Sequence, residues 1–324
     1  MKRSQFLAFG SSLIASTLTS GSVRSMSVIK SEDWNDPMPI IDTHQHLWDI
    51  ERFKEGWSRP PFDRNFNMAD YLAAVDGLNV VKAVYLEVAV PPAKRFEEGL
   101  YAIEVCEASD NPTAGAVIAG DPRSPDFESY ILKFEGNPYI KGLRYFFSDQ
   151  SHILLPQVVK NIRFLGQMGM HFEFVVPVQW LASIAELRNL CPDTAFAINH
   201  CGNLDPRVFF PKATLHDSPL HTLDEWQKPM QSMAATPNTI CKISGIITKA
   251  PGYKLTAGNL APAIDRCLDI FGPDRVVFGS DWPVCLKGME IREWVTLLKA
   301  IVEHRPVEEK KQLFHDNAVR FYRI

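Results

Sequence analysis

Eight short apolar runs punctuate the chain, and each is followed by a stretch whose apolar positions recur with helical spacing. The runs are MPIIDTHQHLW (38–48), VVKAVYLEV (80–88), AGAVIAGD (114–121), YIKGLRYFF (139–147), HFEFVVPV (171–178), FAINHCG (196–202), TICKISGI (239–246) and RVVFGSDWP (275–283). Most read as continuous apolar strands, the pattern of strands buried on both faces of a parallel sheet. The amphipathic stretches 67–75, 96–108, 127–134, 156–167, 179–190, 223–233, 260–270 and 291–302 read as crossover helices. A last amphipathic segment, 308–322, is expected to close or brace the assembly. Eight strand–helix units predict an α/β protein of the closed (β/α)8 TIM-barrel class. An open doubly wound sheet is the weaker reading, because no glycine-rich dinucleotide fingerprint follows the first strand.

Composition agrees with a single large core. The chain has 324 residues, 46% hydrophobic and 22% charged, and no Pro/Gly/Ser linker divides it, so residues 27–324 are expected to form one domain. The formal net charge of -4 gives no footing for a nucleic-acid partner. Residues 1–26 differ: Lys2 and Arg3 precede a weakly apolar stretch, as in a short export signal. If that segment is a signal, the protein is periplasmic or otherwise exported; if it is a disordered extension, the protein is cytoplasmic. The stretch is too short and polar for stable membrane insertion. Six cysteines lack any CxxC pairing and are expected to be free thiols. A small-molecule substrate is the expected partner, with a homodimer left open.

Candidate chemistry gathers at strand ends. His44 and His46 lie two apart on the first run, so their imidazoles point to one side at the mouth of a barrel. Asp42 shares their parity and could orient one of them. Each could equally be a satisfied polar strand end. His200 ends the sixth run and Asp281 the eighth, where an unpaired buried carboxylate would be costly. Strands one and eight are neighbours in a closed barrel, which brings Asp281 to the histidine pair. Together the four groups are hard to explain as stability features. Arg144, near the end of strand four, could clamp a carboxylate or lactone oxygen, or form a surface salt bridge. Lys242 could face the site or pair with a carboxylate beneath it. Glu87 could accept hydrogen bonds at the mouth. Trp48, Trp57 and Trp282 could wall the pocket or serve as rim packing. Two long loops, 49–66 and 203–222, follow strand ends and should shape the pocket.

The motifs IIDTHQHLWD, KGLRYFF, INHCG, CKISG, VVFGSDWPV and FHDNAVRFY strongly resemble the amidohydrolase-related family of barrel hydrolases. They are most similar to the branch of sugar-acid lactonases and the pyrone-dicarboxylate lactonase, over residues 38–324. The resemblance implies a barrel with its site at His44, His46, His200 and Asp281, and Asp281 handling the proton of an attacking water. It implies either one divalent ion, zinc or manganese, on those four residues, or none. Two-metal members carry a bridging strand-four residue and a strand-five histidine. Here strand four ends in Arg144-Tyr145-Phe146-Phe147 and His171 sits at the wrong end of strand five, so a binuclear site is not expected. The resulting expectation is hydrolysis of a lactone of a sugar acid or a related carboxylated lactone. The alternatives are a metal-dependent decarboxylase on the same scaffold and a non-catalytic small-molecule-binding barrel.

Overall fold

The computed structural model describes residues 38–53 and 62–324. The export-like segment 1–26 and Trp57 lie outside the described residues. Eight parallel strands pair in chain order: β1 Ile40–Gln45, β2 Val80–Leu86, β3 Thr113–Ala119, β4 Ile140–Phe146, β5 His171–Val175, β6 Phe196–Ile198, β7 Thr239–Ile243 and β8 Val276–Phe278. The β1–β8 seam closes just past the strand ends. There His46 N donates to Trp282 O at 2.8 Å and Asp281 N to His44 O at 2.9 Å. Lower down, Thr43 Oγ1 donates to Phe278 O at 2.6 Å. The expected (β/α)8 barrel is thus the architecture observed.

Each strand is followed by a helix: α1 Met68–Val75, α2 Arg95–Glu107, α3 Phe127–Leu132, α4 Pro156–Gln167, α5 Leu181–Leu190, α6 Leu223–Ala234, α7 Ala257–Phe271 and α8 Ile291–Ile301. Reciprocal capping boxes start four of them, at Asn67/Asp70, Thr222/Glu225, Thr256/Asn259 and Glu290/Glu293. Helix α7 begins at Ala257 rather than 260 because Thr256 accepts the orphan Asn259 N–H. None of the helices among the described residues is long and apolar enough to cross a membrane. All six cysteines are buried free thiols.

The segment expected to be one helix over 308–322 is divided. Helix Val307–Lys311 runs into a wide π-type turn, Gln312–Asp316, and then helix Asn317–Tyr322. Its residues Ala318 and Tyr322 pack with Ile41, Val84, Leu86, Val117, Ala197, Ile240 and Val277. These strand residues are the inward-facing apolar filling of the barrel, so the last helix plugs the end opposite the strand C-termini. Beside Tyr322 lies a buried polar cluster. Glu173 meets His171 Nε2 at 2.9 Å, Lys242 Nζ at 2.7 Å and the Tyr322 hydroxyl at 3.0 Å. Burying these charges is tolerable only because each is paired.

Candidate active site

Strands β1, β4, β6 and β8 and the loops after them deliver the polar residues that meet at the barrel mouth. His44 lies on β1 and His46 one residue past its end. Their rings sit edge to face with centroids 5.0 Å apart, and His44 is 4.7 Å from the His200 ring. The Asp281 carboxylate lies among all three imidazoles: 3.4 Å from His44 Nε2, 3.6 Å from His46 Nε2 and 3.9 Å from His200 Nδ1.

His200 and Asp281 do not end their strands, as the apolar runs suggested. Strand β6 stops at Ile198 and β8 at Phe278. The backbone then turns into the left-handed region, with φ of 53° at His200 and 60° at Asp281. Such dihedrals are unfavourable for residues with a Cβ and persist only where the surroundings impose them. Here seam hydrogen bonds hold Asp281. His200 is held by Ser244 Oγ, which meets its N–H at 3.3 Å and its Nδ1 at 3.0 Å.

Asp42 does not orient an imidazole. Its carboxylate accepts from Ser280 Oγ at 2.6 Å, Ser280 N at 2.7 Å, the Tyr71 hydroxyl at 2.9 Å and His44 N at 3.1 Å. It holds His44 by the backbone and ties β1 to the loop after β8.

Burial lowers His44 far below the usual imidazole range, and the nearby Lys242, His200, His46 and Arg144 charges push the same way. Burial likewise brings His200 down to about 3, against the opposing pull of Asp281. Both rings are neutral at neutral pH. For Asp281, burial acts upward, but His200, the hydrogen bond with His46 and the Arg144 charge outweigh it, and the carboxyl lies below its ordinary value. It is therefore ionised.

His46 Nδ1 faces Leu86 O at 2.9 Å, so that nitrogen carries a proton, and Nε2 faces Asp281. His44 Nε2 accepts from Arg144 Nη1 at 3.2 Å. His44 Nδ1 is buried without a hydrogen-bond partner among the described residues. His44, His200 and Asp281 offer ligand atoms within 4.8 Å of one another. The two neutral imidazoles of His44 and His200 and the Asp281 carboxylate would suit a single divalent ion such as zinc or manganese. A carbonyl-anchored histidine beside them has the outer support that metal-binding imidazoles commonly receive.

Arg144 is buried and makes no surface salt bridge. Its Nε donates to Glu87 Oε1 at 2.6 Å and its Nη2 to Glu87 O at 2.5 Å. It lines the cavity above Asp281, whereas Glu87 does not. The second Glu87 oxygen accepts from Ala89 N at 2.6 Å. Glu87 is thus a strut for Arg144, and the expectation that it meets substrate is not what the geometry presents. Lys242 also stands off the cavity. It is fully buried, with its amine on Glu173 and on Thr43 O at 2.9 Å. This is the second of its two expected placements, beneath the site. Trp48 lines the cavity, but Trp282 is turned into the wall, packed on Phe66 and Tyr71.

The cavity has a volume of about 330 Å³. His46, His200, Asp281 and Arg144 supply its polar floor, and Trp48, Val88, Phe146, Val175 and Val284 its apolar walls. Thr248, Lys249 and Lys287 complete it from the loops after β7 and β8. Sequence reasoning missed the last three, because a loop lysine looks the same whether it faces solvent or a pocket. It also passed over Gly245, although CKISG had been singled out. An added Cβ there would sit 2.4 Å from His200 Nδ1 and 3.0 Å from Asp281 Oδ2.

Residues 41–324 match the family model described as Amidohydrolase. The L-fucono-1,5-lactonase of Burkholderia multivorans is 25% identical over 295 residues, covering 88% of this chain and 96% of that protein. A zinc-bound crystal structure of an amidohydrolase from the same organism superposes with a TM-score of 0.75 at 22% identity, covering 88% of this chain and 99% of that one. A probable 2-pyrone-4,6-dicarboxylic acid hydrolase of Acinetobacter baumannii, crystallised with citric acid, superposes with a TM-score of 0.68 at 16% identity, covering 89% of this chain and all of that one. These structural likenesses extend to the fold. With the family model spanning nearly all the described residues, the chain belongs to the amidohydrolase family.

Proposed function

We propose that this protein is a lactonase that opens a cyclic ester by attack of water, with Asp281 as general base. The observation that carries this reading is the ionised Asp281 carboxylate set among three imidazoles at the floor of a small cavity. A carboxylate held below its ordinary pKa can accept a proton from water while the water attacks a carbonyl carbon. Asp281 then returns the proton to the departing ring oxygen, leaving a hydroxy acid. Arg144 is fixed by Glu87, and its remaining N–H groups can donate to a substrate oxygen. Trp48 gives an apolar face against which a ring can lie. The resemblance to lactonases in sequence supports the same chemistry.

His44, His200 and Asp281 would hold a divalent ion, with His46 beside them. When bound, such an ion supplies Lewis acidity to the carbonyl and acidifies water. If the protein works without one, donors on the His46 and His200 imidazoles and the Arg144 guanidinium, which line the cavity, must stabilise the oxyanion.

The test is acid release, followed by pH-stat titration, from a panel of sugar-acid and aromatic lactones, with metal-stripped and metal-reconstituted protein. Wild type should release acid, and Asp281→Asn should be slower by about 10²- to 10⁴-fold. Equal rates for the two proteins would remove Asp281 as the base. Release of CO₂ from carboxylated substrates, with no lactone opened, would replace hydrolysis by decarboxylation.

A further inference from the structure

The cavity carries more positive charge than its chemistry requires. The whole chain is formally -4, yet the one carboxylate among the described residues lining this cavity is Asp281. Arg144 is neutralised by Glu87, but among the described residues Lys249 and Lys287 are not matched in that way. Lys249 follows the 3-10 turn Ile246–Thr248 after β7 and is half-buried. Its ammonium makes no hydrogen bond or ion pair within 4 Å among the described residues. Lys287 closes the turn Val284–Lys287 after β8. Its ammonium rests 5.1 Å from the centroid of the Phe62 ring, with no carboxylate in contact among the described residues. The lysines come from separate loops and act on one another as like charges. Burial lowers Lys249; Asp281 raises it in part, Lys287 lowers it further and Asp205 raises it least. A desolvated cation held near a second cation is a cost that a bound counter-ion removes. A neutral substrate would leave that cost in place.

We propose that Lys249 and Lys287 form an anion subsite that selects substrates bearing a carboxylate next to the ring opened over Asp281. This rests on the lactonase reading for the ring and deepens it by naming the charge of the substrate. The substrate carboxylate sits on the side of the cavity away from Arg144, between the loops after β7 and β8. It keeps its negative charge off Asp281 and turns the ester carbonyl toward the general base.

Two measurements on the full chain test the subsite. In the first, calorimetry compares binding of cyclohexanecarboxylate with that of its neutral carboxamide. Wild type should bind the acid more tightly by about 10- to 100-fold, the range of a charge-assisted contact. The preference should collapse in Lys249→Gln and Lys287→Gln and be retained in Lys249→Arg. Equal binding of acid and amide to wild type overturns the proposal. So does a preference that survives both glutamine substitutions, since it would then belong to Arg144, the histidines or a bound ion. The second compares kcat/KM for a ring-carboxylated lactone and the same lactone without the carboxylate. Each glutamine variant should lower the ratio of the two values by about tenfold or more, mainly through KM. Lactone opening with no charge preference in rate or binding overturns the subsite and leaves the lactonase reading standing. Lysine-dependent preference for the acid with no lactone opened supports the subsite and removes the lactonase reading.

Discussion

Gly245 shows how much of the site depends on an atom that is missing. Its φ of 59° already disfavours any residue with a Cβ, and the added carbon would press into the His200 ring at 2.4 Å. Because neighbouring backbone fixes both, the imidazole must give way. Gly245→Ala is expected to cost about 1–2 kcal/mol in stability and about 10²-fold in kcat/KM through displacement of His200. Thermal unfolding and steady-state kinetics on one lactone read both quantities, and full activity in the variant would remove the positioning role. At this scale the histidine pair was legible, since residues two apart on a strand share a face. The left-handed turns at His200 and Asp281 were not. An apolar run does not say where pleating stops, and neither residue type announces a positive φ. Lys249 and Lys287 left no trace because their meaning lies in which loop they face.

At the scale of elements, the Glu173 cluster joins β5, β7 and the last helix below the site. Burial alone would raise the Glu173 carboxyl, but the Lys242 ammonium and the hydrogen bond from His171 outweigh it and bring it down to about 2. The unfolded chain protonates this group near its ordinary value of about 4.3. The folded state therefore binds fewer protons in that interval. The stabilisation is complete above about pH 4.5 and is lost as the pH falls toward 2. Glu173→Gln leaves Lys242 buried and unpaired and should cost about 3–5 kcal/mol at neutral pH. It should also flatten the decline in stability between pH 4.5 and 2. Urea unfolding across that range checks both, and an unchanged acid limb would deny Glu173 its share. Strand and helix order was readable here because burial on both faces and helical periodicity leave different patterns. Helix starts were less so. The Thr256/Asn259 box opens α7 three residues before the apolar periodicity does. The π-type turn in the last helix left no periodic signature at all.

For the whole molecule, the decisive join is between β1 and β8. Asp42 accepts four hydrogen bonds there, three of them from the loop after β8 and from α1. Asp42→Asn replaces one acceptor oxygen by a donor and should destabilise by about 3 kcal/mol, while Tyr71→Phe should lose about 1 kcal/mol. Activity at a temperature where both variants are folded should fall further in Asp42→Asn, because the loop bearing Asp281 loosens. Melting curves with kinetics on the same samples decide this, and equal effects of the two substitutions would deny Asp42 the larger part. The closed barrel was foreseeable from eight alternating units. That one carboxylate ties its two edges was not, because the residues involved stand 238 positions apart.

That separation gives the protein a safeguard during its own synthesis. The histidine pair leaves the ribosome early and the aspartate late, so the nascent chain carries only half of a reactive centre for most of its elongation. Neither half can hydrolyse an ester or trap a stray ion with the full donor set. The full donor set is assembled only when the last strand docks against the first.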